Sequence, residues 1–133
     1  MKYVVDTHAL LWYLANHPRL GAAAGAVLHD SQSDLVLPAT AFAEACWIVA
    51  SGRVALAVAD VLNAVNADPR ITVYPLDRAV IERTTQPDLA AIAEMHDRQI
   101  VATALLLAER GESVALLTHD GNISASRLAP VVW

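Results

Sequence analysis

The chain carries fourteen acidic residues, and their positions sort them. Asp6 directly follows the β-rich run Tyr3-Val4-Val5. Asp120 comes just after a second such run, Val114 to Leu117, with Thr118 and His119 between. Glu44 lies in the opening turns of a helix expected after the run Leu35-Val36-Leu37, and its neighbours Ala43, Ala45, Cys46 and Trp47 make it a poor candidate for mere surface decoration. Asp97 opens a long helix that leads back into the strand before Asp120. In open α/β sheets ligands bind beyond the carboxyl ends of the strands, which is where such residues fall. Plainer roles stand beside each: Asp6 and Asp120 can be strand-end turn residues, and Asp97 can cap its helix, since acids favour that end of the dipole. Asp30, Asp34, Asp60, Asp68, Asp77, Asp88, Glu82, Glu94, Glu109 and Glu112 read as caps, turns or solvated faces.

Carboxylates that converge without a cation repel one another, and some must then keep a proton. A hard divalent ion removes the conflict, because Mg²⁺ or Mn²⁺ prefers carboxylate oxygen and water. No cluster of arginines can take that place, and the only lysine, Lys2, lies before the first strand. The pattern points to a carboxylate metal site for phosphoryl chemistry, where a cation activates water and stabilises charge on the phosphate and leaving oxygen. His8, His96 and His119 adjoin these acids and invite zinc or acid–base chemistry. Residues beside a strand-end ligand tend to point the other way, so surface or packing roles are expected for all three.

The elements that must position these side chains alternate. Strands are expected at Tyr3–Val5, Leu35–Leu37, Ile71–Tyr74 and Val114–Leu117, with an edge strand at Pro130–Trp133. Between them the 3.6-residue apolar pattern predicts helices at Thr7–Ala15, Ala22–His29, Thr40–Ala50 (capped by Thr40) and Val58–Ala67. Further helices are expected from an Asp77 cap to about Arg83, from Pro87 to about Glu94, and from Asp97 to Arg110, where Gly111 ends the run. This alternation predicts an α/β sandwich with a largely parallel sheet. No linker, repeat or low-complexity tract divides the chain, so residues 1–133 are expected to form one domain.

Composition narrows the class. The chain has 133 residues, 56% of them hydrophobic, and only 17% charged, with a net charge of −5. Disorder is excluded, because it needs low hydrophobicity and high charge. A domain that binds nucleic acid through a broad basic face is disfavoured, though an enzyme that meets nucleic acid through metal ions is not. So few charges on so apolar a chain predict burial against another chain. The one cysteine, Cys46, excludes an intrachain disulfide and a cysteine metal cluster, and is expected to be a small core residue. No targeting segment or membrane span is visible, which makes a reducing cytoplasm the expected location. Several acid-after-strand folds fail on residue type. An aspartyl phosphatase wants a second Asp at position 8, where His8 stands; a receiver domain wants a late lysine; a nucleotide binder wants a glycine-rich loop, which Thr7-His8-Ala9 cannot supply.

Four segments taken together carry a resemblance: VVDTHALLWYL, PATAFAEACWIV, HDRQIVATALLLAERG and LLTHDGNI. In this order they resemble PIN-domain ribonucleases, in particular the VapC-like toxins of bacterial toxin–antitoxin pairs. The resemblance spans nearly the whole chain. It implies a three-layer α/β/α fold with a parallel sheet of about five strands and cleavage of RNA dependent on Mg²⁺ or Mn²⁺. It places the four acids at Asp6, Glu44, Asp97 and Asp120, as metal ligands or orienters of the attacking water. Thr118 matches the family's hydroxyl residue, with a metal-bound water or a phosphate oxygen as its implied partner. Many relatives have a further acid where Asn122 stands, and many read Asp-Pro where Met95-His96 stands. Arg98 is a candidate phosphate contact, with a surface salt bridge as the equal alternative. The implied partners are an RNA substrate, a second copy in a homodimer, and a small antitoxin lying in an apolar groove, for which Leu11, Trp12, Leu14 and Leu28 are candidates. A PIN-like binding module without catalysis is the alternative.

Overall fold

A computed structural model describes residues 1–133. Five strands form one sheet: β1 (Lys2–Val5), β2 (Asp34–Pro38), β3 (Ile71–Tyr74), β4 (Val114–Leu117) and β5 (Val131–Val132). Their order is β3-β2-β1-β4-β5, and every pairing is parallel. Parallel strands must be joined by crossovers. These carry α1 (Thr7–Leu14) and α2 (Ala22–His29), then α3 (Ala39–Ala50) and α4 (Val58–Ala67), then α5 (Arg78–Thr84), a 3-10 turn (Pro87–Ala91) and α6 (Met95–Glu109), and last α7 (Gly121–Ser126). The order runs outward from β1 to β3 and then returns through β4 to β5. Right-handed crossovers therefore put the helices before β3 on one face and those after it on the other. The expected α/β/α sandwich with a parallel five-stranded sheet is the fold observed.

Burial explains the composition. All four residues of β4 and the last four of β2 are buried, as strands covered on both faces require, whereas β3 and β5 at the edges are not. A 28-residue core cluster joins strand residues such as Val4, Leu37 and Leu116 to helix residues such as Leu11, Leu28 and Ile100. Leu11 and Leu28 are thus core, at 0% and 1% exposure, and do not line a surface groove; Leu14 and Trp12 are only partly buried. Cys46 packs half-buried against the core, and burial pushes its thiol up.

Two local expectations are corrected, and one element is added. Glu94, not Asp97, caps α6: its side chain accepts from the Asp97 N–H at 2.8 Å, which places Asp97 in the first turn. Thr40 does not cap α3 but sits inside it, buried, donating to Gln99 Oε1 at 2.7 Å. The segment after Asp120 forms the short helix α7, capped by Asp120 through the Ile123 N–H at 2.8 Å. No helix is long and apolar enough to cross a membrane.

Candidate active site

The strand order reverses direction at β1, so the crossovers on its two sides diverge. The crevice at the carboxyl ends of β1 and β4 is the topological switch point, the usual ligand site of an open α/β sheet. β1 pairs with β4 up to Val5↔Leu117, so the residues that follow both strands emerge side by side there. Asp6 accepts the Thr7 N–H at Oδ1 (2.7 Å) and the Thr118 hydroxyl at Oδ2 (2.5 Å). The Thr118 oxygen in turn accepts the Asp120 N–H at 3.1 Å. The Thr7 hydroxyl donates to Glu44 Oε1 at 2.5 Å. One chain of hydrogen bonds therefore ties β1, α1, α3 and the β4 end together. It uses three of the few buried polar residues, Asp6, Thr7 and Thr118, and no buried side-chain polar atom lacks a partner.

Asp97 completes the arrangement from the first turn of α6. The path through α5 and the 3-10 turn carries the chain back to the carboxyl edge of the sheet. Asp6, Glu44, Asp97 and Asp120 then line one pocket of about 420 Å³. The four acids singled out in the sequence are thus brought together, on four different elements. The pocket also takes in His8, Trp12, Arg19, Glu94 and His119. Glu94, the residue that caps α6, faces this pocket as well. It also holds His96, whose Nδ1 lies 2.7 Å from Glu94 Oε1 and 3.8 Å from Glu44 Oε2. Arg19 had no signal in the sequence, because its place depends on the turn after α1. Asn122 is exposed on α7 and does not line the pocket. Arg98 does not line it either: its guanidinium donates to the carbonyls of Ile92 and Ala90 and braces the entry to α6.

The electrostatics follow from crowding. Burial raises the Asp6 carboxyl above its ordinary range, and nearby Glu44 adds to this against the two hydrogen bonds. Asp97 is pushed up to about 7, first by burial and then by the charges of Asp120, Asp6, Glu94 and Glu44. Asp97 accepts no side-chain hydrogen bond, and Asp120 uses only Oδ1, so both present unengaged oxygen to the pocket. This donor set is all carboxylate oxygen, which suits a hard cation such as Mg²⁺ or Mn²⁺. As posed, no three acidic or imidazole side chains close around a single point. Asp6 and Glu44 instead spend oxygens on Thr7 and Thr118, so cation binding requires these side chains to turn.

No curated protein is similar enough to the chain to count as a match. The sequence pattern of the PIN domain covers residues 3–127, and PIN domains are typically metal-dependent nucleases. That span takes in every acid of the pocket, and on it the chain belongs to the PIN domain family.

Proposed function

We propose that this protein is a metal-dependent endoribonuclease that hydrolyses RNA phosphodiesters and leaves 5′-phosphate and 3′-hydroxyl ends. The observation that carries this is the convergence of Asp6, Glu44, Asp97 and Asp120 on one pocket at the switch point of the sheet. Asp6, Asp97 and Asp120 would hold Mg²⁺ or Mn²⁺, directly or through water. The ion would supply activation of water and neutralisation of phosphate charge. Glu44 shares in holding the ion or accepts the proton of the attacking water. Thr118 fixes the rotamer of Asp6, since its hydroxyl donates to that carboxylate. The 2′-hydroxyl is not the nucleophile, so RNA with a 2′-methoxy group at the cleavage site remains a substrate.

The test is cleavage of labelled RNA by purified protein with Mn²⁺, with EDTA, and with Asp6→Asn. Loss of cleavage in EDTA and in Asp6→Asn supports the reading; cleavage unaffected by both overturns it. RNA binding without cleavage at any metal concentration favours the alternative of a non-catalytic binding module.

We further propose that the protein is a single-domain toxin of a toxin–antitoxin pair, cytoplasmic, dimeric and held inactive by a small antitoxin. Support comes from large apolar side chains left in solvent, Trp47, Leu76 and Met95, around a hollow of about 740 Å³ that borders Glu44. Induction in bacteria with and without the neighbouring gene tests toxicity: normal growth without the neighbour counts against it. Sedimentation of the purified protein tests the dimer.

A further inference from the structure

A second hollow, of about 580 Å³, adjoins the acid pocket, and His8, Trp12, Arg19 and Glu44 face both. Its far side is built by Trp47 and Arg53. Its volume lies within the roughly 300–1,000 Å³ of small-molecule sites, and its chemistry is the reverse of its neighbour's.

The cations are the first observation. Of the nine basic residues, Lys2, Arg70, Arg78, Arg83, Arg98 and Arg110 all donate to protein oxygens. The side chains of Arg19, Arg53 and Arg127 make no hydrogen bond or ion pair, and Arg19 and Arg53 both line this hollow. In a chain of net charge −5, two of the three uncommitted guanidinium groups are thus gathered beside the acid pocket. The aromatic rings are the second observation. Trp47 is 61% exposed, and the Arg53 guanidinium carbon sits 5.2 Å from the centre of its ring. Trp12 is stacked by His17 at 5.5 Å and flanked by His8 at 5.4 Å. An indole left in water is costly, and it pays when another flat apolar face covers it. Unpaired RNA offers such a face on every base, with a phosphate on either side of it.

We propose that this hollow binds one unpaired nucleotide of single-stranded RNA next to the phosphate that is cleaved, its base stacked on Trp47 and its phosphate paired with Arg53 and Arg19. The inference rests on the nuclease reading, which puts the scissile phosphate at the shared wall. A base that enters the hollow must leave its own stack, so the subsite selects single strands over duplexes. It also shows how an acidic protein holds a polyanion: the cation site takes one phosphate, and the two free guanidinium groups take its neighbour.

The test is fluorescence anisotropy of a short labelled single-stranded RNA with Asp6→Asn protein, in EDTA and again in Mg²⁺. Trp47→Ala in that background is expected to weaken binding roughly 5- to 150-fold, the range that loss of one base–aromatic stack brings. Trp47→Phe restores most of it. Arg53→Ala weakens binding and flattens its salt dependence by about one phosphate contact, whereas Arg127→Ala leaves both unchanged. Trp47 and Arg53 are exposed, and circular dichroism checks that the variants keep the fold. The proposal is overturned if the parent binds no RNA in either condition, if Trp47→Ala and Arg53→Ala bind like the parent, or if duplex RNA binds as well as single strands. It is also overturned if a protein partner shields Trp47 while RNA does not. Cleavage by the otherwise unaltered protein separates the two readings. Cleavage with KM unchanged in Trp47→Ala removes the subsite alone; no cleavage, with Trp47-dependent RNA binding, removes the nuclease reading and leaves the subsite.

Discussion

Replacing Asp97 with asparagine is predicted to stabilise the metal-free protein while abolishing its response to metal. Asp97 is half-buried, accepts no side-chain hydrogen bond, and faces Asp120, Asp6, Glu94 and Glu44. Its carboxyl rises from 3.8 to about 7. Between about pH 4 and 7 the folded protein therefore holds a proton there that the unfolded chain has released. Stability from this group is full below pH 4 and falls as pH rises through 7. At about 1.4 kcal/mol per pH unit the ceiling is about 4 kcal/mol. Solvent reaches this carboxylate, and screening reduces the expected penalty to about 1–2 kcal/mol. For a chain of this length that is about 3–8 °C in Tm. The assay is thermal unfolding in EDTA across pH 4 to 8. Asp97→Asn should match the parent near pH 4 and exceed it by that margin at pH 8. Millimolar Mn²⁺ should then raise the parent's Tm, as any ligand of the folded state does, and leave the variant's unchanged. A variant no more stable than the parent at pH 8 would mean that these carboxylates do not repel, and the argument for a cation would fall with it.

Other perturbations read different parts of the structure. Thr118→Val removes the donor to buried Asp6 and the acceptor of the Asp120 N–H, and should cost about 1–3 kcal/mol in urea denaturation, with Thr118→Ser close to the parent. Gly21→Ala would drive its new methyl into Trp133, which lies 2.6 Å from that position at Cδ1; a loss of about 1–3 kcal/mol and a changed Trp133 environment in tryptophan fluorescence are expected. Arg70, 15% exposed, binds Asp68 and the carbonyls of Leu28 and Asp30. Arg70→Met should cost about 2–4 kcal/mol by denaturant titration. Arg70 holds the Asp68 carboxyl below its ordinary range, so the loss should be full above that range and shrink as pH falls below it, where folded Asp68 takes up its proton.

What the sequence made legible was local. Apolar runs closed by Pro38 and Pro75, and a helical run ended by Gly111, mark the strands and turns because the forces that set them act within a few residues. Asp6 and Asp120 were readable for the same reason, as acids that end strands. Glu94 was not, because glutamate is no favoured cap while Asp97 three residues on is a plausible one. Helix α7 went unseen since Gly121-Asn122 are weak helix formers, and its first turn is held by Asp120. The cluster of Trp12, His119 and Trp133, with His8 against Trp12, depends on α1, the β4 end and the residue after β5 meeting in space, which no local pattern encodes. Arg98 shows the converse: its neighbours suggested a phosphate contact, but carbonyls of the loop before it claim the guanidinium first.

The bond from Thr118 to Asp6 spans 112 residues of chain. Of the sheet's five strands β1 is made first and β4, one of the two that pair with it, fourth. While the intervening segments emerge, Asp6 has neither the Thr118 hydroxyl nor Asp120 beside it. The acid pocket therefore cannot close until β4 has been made. A chain that stops short of β4 carries Asp6 without the hydroxyl that holds its carboxylate and without the acid that shares its pocket.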